Sequence, residues 1–115
     1  MKTIVKVKAA IPQPGNGQVM EHAALVLHDD RIIDLLSWEE AEAAYPDAAV
    51  DFRPEAWAVP GFIDAHVHLS FSCRNDPYLD MLEEMNSEPL MMLRLVRNAQ
   101  ASILAGVTTV RDCGA

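Results

Sequence analysis

The chain has 115 residues, half of them hydrophobic, which bounds one small domain or part of a larger one. Nine basic against seventeen acidic side chains leave a formal charge of -8. That balance argues against nucleic acid as a partner, because phosphate binding needs a basic patch. No run of 18 or more apolar residues is present, so no membrane span is expected. Lysines interrupt the apolar start and no small-residue cleavage site follows, so no signal peptide is read there.

Residues 2–11 alternate as a strand, with Lys2, Lys6 and Lys8 read as the solvent face of an edge strand. Pro12, Pro14, Gly15 and Gly17 break it. Residues 19–27 and 31–36 read as a β-hairpin around His28-Asp29-Asp30-Arg31. His22 and His28 fall on strand and turn and are read as solvent-facing. Ser37 is read as an N-cap for a short helix over 38–45, with Glu39, Glu40 and Glu42 in its early turns. Pro46 ends that helix, and a brief strand is expected at 50–52.

Residues 59–69 read Val-Pro-Gly-Phe-Ile-Asp-Ala-His-Val-His-Leu. Pro60-Gly61 is a turn signal, and a strand follows. Period-two alternation puts Asp64, His66 and His68 on one face and Ile63, Ala65, Val67 and Leu69 on the other. Polar groups in such a run are not accepted unpaired. Neutral imidazole is a common metal ligand, and two imidazoles two residues apart on a strand can converge on one ion. A bare His-x-His also occurs in histidines that merely pack.

Asp76-Pro77 supplies an N-cap and a first-turn proline for a short helix over 78–85, with Leu79, Leu82 and Met85 inward. Residues 88–105 form a second helix. Met92, Leu95, Val96, Ala99 and Ile103 follow its helical spacing, and its opposite face carries Arg94, Arg97, Asn98 and Ser102. Gly106 ends it as a left-handed cap. Met92 reads as core filler; Met81 and Met85 are left open between core and pocket lining. Gly-Val-Thr-Thr-Val-Arg-Asp-Cys-Gly at 106–114 is a second strand, and the helix between makes the two strands parallel neighbours. Cys73 and Cys113 read as reduced cytosolic thiols, not a disulfide.

The run from Pro60 to Leu69 closely resembles the first barrel strand of the amidohydrolase superfamily of metal-dependent hydrolases. Residues 106–114 resemble its second barrel strand. Val110-Arg111-Asp112 resembles the branch of imidazolonepropionase-like enzymes and peptidases acting on dipeptides. The resemblance runs from about residue 18 onward.

That resemblance implies an α/β fold, the start of a (β/α)8 barrel preceded by part of a small β-sandwich. Residues 1–58 would be the partial sandwich, and 59–115 the first βα unit and second strand. A whole barrel takes about 250 residues, so an amino-terminal piece of a larger enzyme is expected. His66 and His68 would be two ligands of the more buried divalent metal, zinc being expected, with one or two ions in the full enzyme. The reaction implied is hydrolysis of an amide, cyclic amide or peptide C–N bond by metal-activated water. In that family the proton goes to an aspartate on the last strand, and later strands supply two histidines and often a carboxylated lysine. Cys73 is not expected as a ligand, since the thiol position is not one in that family.

Asp64 carries two readings of equal weight, orienting an imidazole or making a structural bond at the barrel floor. Asp112 is read first as a structural bond near the strand end, with pairing to Arg111 or facing the site as alternatives. A small-molecule substrate, a cytoplasmic setting and a homo-oligomeric parent are expected. The opposing reading is a non-catalytic barrel and sandwich scaffold that has lost metal chemistry.

Overall fold

A computed structural model describes residues 1–13, 15–72 and 74–114, with all of their side chains except those of Glu84 and Met85. The expectations for Pro14, for Cys73 as thiol, ligand or disulfide partner, and for the Met85 side chain lie outside the described residues. The chain divides into two compact units, Met1–Pro60 and Gly61–Ala115. Among the described residues no helix is long and apolar enough to cross a membrane.

The first unit is a five-stranded sheet with one helix. It comprises β1 (Lys2–Ala10), β2 (Met20–Glu21), β3 (Ala23–His28), β4 (Arg31–Ser37), α1 (Trp38–Ala44) and β5 (Ala49–Ala58). β1 pairs antiparallel with β2 and β3 on one edge and parallel with β5 on the other. It is therefore a central strand, which corrects the edge-strand reading of its lysines. Lys2 and Lys8 are exposed, but Lys6 is buried beside Ile4. Its ammonium pairs with Glu42 of α1 and lies 5.5 Å from the Trp38 ring centroid. A buried cation needs such partners, and the carboxylate comes from 36 residues downstream.

The hairpin forms as read, with β3 and β4 antiparallel from Ala23↔Ser37 to His28↔Arg31. Asp29 takes the turn with φ 54°, a left-handed conformation that aspartate tolerates better than most residues. The strand expected over 19–27 is divided at His22, which sits at φ 50° between β2 and β3. His22 and His28 are both exposed.

Ser37 caps α1 through a capping box: Glu40 N–H donates to the Ser37 hydroxyl, and Ser37 N–H donates to Glu40 Oε2 at 3.0 Å. The bonds from Ser37, backbone first and hydroxyl second, hold the Glu40 carboxyl below its ordinary pKa. One face of the sheet packs Ile4, Ala24 and Val26 against Ala41 of α1, with Leu36, Trp38 and Tyr45 at the margin.

The brief strand expected at 50–52 is instead the ten-residue β5. Pro54 obscures it in the sequence, because proline lacks the donor a ladder needs. The chain accommodates it at an irregularity: β1 advances from Val7 to Ala9 while β5 advances from Arg53 to Trp57. A second apolar cluster of Val7, Ala10 and Ala23 has Val5, Leu25 and Leu35 packed against it. Leu25, Leu35, Ile32, Val59 and Pro60 line an apolar cleft of about 250 Å³ beside it.

The second unit comprises β6 (Phe62–Val67), α2 (Pro77–Asn86), α3 (Glu88–Leu104) and β7 (Val107–Asp112). β6 and β7 are parallel neighbours, as a helical connection between them requires. Asp76 caps α2, its Oδ1 accepting from Tyr78 N–H at 3.0 Å and Leu79 N–H at 3.3 Å, with Pro77 in the first turn. Gly106, at φ 89°, terminates α3.

The buried side of α3 departs from its apolar spacing. Leu95 and Ala99 are half-buried, but Met92, Val96 and Ile103 are exposed within this unit. Arg94, Asn98 and Ser102 are half-buried in their place. Asn98 donates to the carbonyls of Leu69 and Phe71 at 2.7 and 2.8 Å, fastening the segment after β6. Arg94 pairs with Asp80 and Glu83 of α2. In α2 the inward residue is Asp80, 1% exposed, while Leu79, Leu82 and Met81 remain substantially exposed. Charge and amide bonds join the helices to each other and to the segment after β6.

Asp80 accepts from the Ser72 hydroxyl at 2.6 Å and the Ser72 N–H at 3.0 Å. The hydroxyl bond leads the causes that hold its carboxyl below the ordinary range, with Arg74 and Arg94 adding. Arg74 first, then Arg94, does the same for Glu83. A depressed folded pKa contributes stability that is present above the unfolded value and lost as pH falls through the folded one. Amide protection across α2 and α3 is therefore expected to fall on acidification below about pH 4, and Asp80→Asn to flatten that acid limb. Hydrogen exchange against pH checks this; identical acid limbs in the two proteins count against it.

Candidate metal centre

β6 delivers His66 at its penultimate position and His68 one residue beyond its end. Both stand at the carboxyl end of a parallel strand, where barrel active sites gather. The rings are neighbours, with centroids 5.4 Å apart and planes at 62°. His68 stacks on Phe71, centroids 4.8 Å apart and planes at 16°. Its Nδ1 lies 2.9 Å from the Gly114 carbonyl oxygen. A carbonyl only accepts, so this bond requires the proton on Nδ1 and leaves the Nε2 lone pair free in the neutral ring.

The two readings of Asp64 separate here. Its Oδ1 accepts from the His66 backbone N–H at 3.1 Å, so it braces the strand at His66 and not an imidazole. Asp112 also bonds backbone: Oδ2 accepts from Leu69 N–H at 3.1 Å and Oδ1 from Gly114 N–H at 2.9 Å. Those two bonds, Gly114 first, hold its carboxyl below the usual aspartate range, and nearby His68 adds to the effect. Cys113 is an exposed free thiol, and its N–H donates to Val67 O at 2.9 Å. The Asp112 link to Leu69 could not be read from the sequence, since it joins residues 43 apart.

No group of three or more His, Cys, Asp or Glu side chains is gathered for a metal among the described residues. The donors present are two adjacent imidazoles, one with its Nδ1 directed to a carbonyl. That set suits a divalent ion of the zinc type as part of a larger coordination shell.

Parallel strands joined through helices, with histidines at a strand's carboxyl end, make this a mixed α/β chain. The model of the amidohydrolase family matches residues 57–115, and the chain belongs to that family. It is 34% identical over 62 residues to an imidazolonepropionase of Pyrobaculum arsenaticum, covering 54% of this chain and 16% of that protein. It is 28% identical over 82 residues to a 5-methylthioadenosine/S-adenosylhomocysteine deaminase of Bacillus thuringiensis, covering 71% of this chain and 19% of that one. The crystal structure of A. niger ochratoxinase superposes with a TM-score of 0.72 at 28% identity, over 96% of this chain and 25% of that chain. The chain thus spans a quarter or less of each of these relatives.

Proposed function

We propose that this chain is part of a metal-dependent amidohydrolase that hydrolyses amide, cyclic amide or peptide C–N bonds of a small-molecule substrate. Residues 1–58 form part of a composite β-sandwich, and residues 59–115 the first βα unit and second strand of a (β/α)8 barrel. His66 and His68 are two ligands of a divalent cation, with zinc the expected ion. The observation that carries this reading is the pair of adjacent imidazoles at the carboxyl end of β6. The family match supports the chemistry, and the apolar cleft beside Leu25 and Leu35 supports a sheet that takes a further layer.

A bound divalent ion would polarise the substrate carbonyl and lower the pKa of a water toward neutrality. The chain's own residues prepare for it. His68 presents Nε2, Phe71 holds its ring plane, and Asp64 fixes the backbone at His66. Two imidazoles fall short of the three protein ligands usual in a catalytic site. The 115-residue chain is accordingly expected to bind zinc weakly and to turn over no substrate.

In the full protein, His66→Ala and His68→Ala should each strip the metal and lower hydrolysis by more than the roughly 10–100-fold that losing an outer partner costs. Metal analysis with a circular dichroism control tests this. Full metal content and activity in a folded double variant would overturn the ligand assignment, whereas a wild-type protein with neither metal nor turnover would favour the scaffold reading.

A further inference from the structure

We infer that Asp112 is a positioning residue which, through the Gly114 carbonyl, fixes the nitrogen of His68 that carries the proton. It rests on the metal reading only in the consequence, that Nε2 is the nitrogen offered to a cation.

One carboxylate spans the ends of both strands. Oδ2 holds the N–H of Leu69, next in sequence to His68, and Oδ1 holds the N–H of Gly114, whose carbonyl the ring meets. Asp112 therefore restrains both sides of a single hydrogen bond, the backbone carrying the imidazole and the acceptor it faces. Gly114 sits at φ +125°, a conformation that side chains rarely adopt, so few other residues could present the carbonyl there. The Cys113 N–H to Val67 carbonyl bond closes the same turn onto β6. Phe71 stacks on the ring and limits its rotation. An acceptor held at Nδ1 opposes the Nε2–H form that a free imidazole prefers, and so leaves the distal lone pair available.

A purely structural tie between β6 and β7 would not select a tautomer, and that separates the two roles. The measurement is long-range proton–nitrogen correlation on 15N-histidine-labelled chain at about pH 8, where an ordinary imidazole is neutral. His68 is expected as Nδ1–H. Asp112→Asn keeps one acceptor and sets an amide NH₂ against the other N–H; Asp112→Ala removes both acceptors. In either, His68 should move toward Nε2–H while His22 and His28 keep their signals. Cobalt(II) titration, read on the His68 resonances, should weaken by about 10-fold or more.

Wild-type His68 found as Nε2–H overturns the inference. So does an unchanged tautomer in a folded variant. Unfolding of both variants, seen as lost amide dispersion, would make Asp112 a fold residue and equally overturn it. The tautomer is read without metal. An Nδ1–H ring that ignores cobalt would end the metal reading and leave this one standing.

Discussion

Trp38→Ala should destabilise the first unit by about 3 kcal/mol, the lower end for truncating a large aromatic, because the ring is only partly buried. The indole fills the margin of the Ile4, Ala24, Val26 and Ala41 cluster. It meets Phe52 edge-on, with centroids 5.2 Å apart, and His22 at 4.6 Å. Its Nε1–H also donates to two carbonyls, Val7 and Ala23, each at 3.0 Å. Regular β1–β3 pairing extends only to Lys6↔Ala24, so the indole completes bonds beyond the ladder's end. Trp38→Phe keeps much of the packing and removes that donor, and should cost about 1–2 kcal/mol. Amide exchange of β1 and β3 measures both. A loss below about 0.5 kcal/mol for the alanine variant, the scale of an ordinary surface change, would show the indole to be ornamental.

Local signals in the sequence were followed faithfully by the chain. Ser37 and Glu40 lie three apart, so their capping box is visible without tertiary knowledge. Asp76-Pro77 opens α2 and Gly106 closes α3 for the same reason. His66 and His68 share a side because strand geometry has a period of two. The misreadings involve partners distant in sequence. Lys6 looked solvated because nothing near it reveals that β1 has neighbours on both edges, or that Glu42 will reach it. The strand read at 50–52 runs on through Pro54 to Ala58, because the irregular register with β1 accommodates the proline. On α3, the spacing sets Asn98 and Arg94 on the face opposite the apolar residues, yet carbonyls and carboxylates from other segments draw both inward. Asp112 falls between the two cases. A structural bond near the strand end could be read, but its joining of Leu69 to Gly114 requires the parallel pairing of β6 and β7.

Gly61→Ala should unsettle the second unit by about 1–3 kcal/mol through overpacking. A Cβ there would clash with Thr108 Oγ1 and Cγ2 and lie 2.7 Å from its Cβ. Rotating the Thr108 side chain moves the first two atoms and leaves the third, so the backbones themselves must part. The strain falls at the start of β6, where Phe62 N–H donates to Gly106 O at 2.9 Å and Phe62 pairs with Val107. Thr108→Ala should relieve the clash only partly, because its Cβ remains. Thr108→Gly in the Gly61→Ala background should recover more, despite the roughly 0.5–1 kcal/mol that glycine costs in a strand. A double-mutant cycle on amide protection at Phe62 and Val107 reads the coupling, expected at about 1 kcal/mol or more for residues in contact. Additive effects would mean the two backbones do not approach so closely. The same displacement has a chemical consequence, because β6 and β7 must keep their register for the Gly114 carbonyl to meet His68. Gly61→Ala should therefore disturb the His68 ring signals as well as the strand, although it lies at the opposite end of β6.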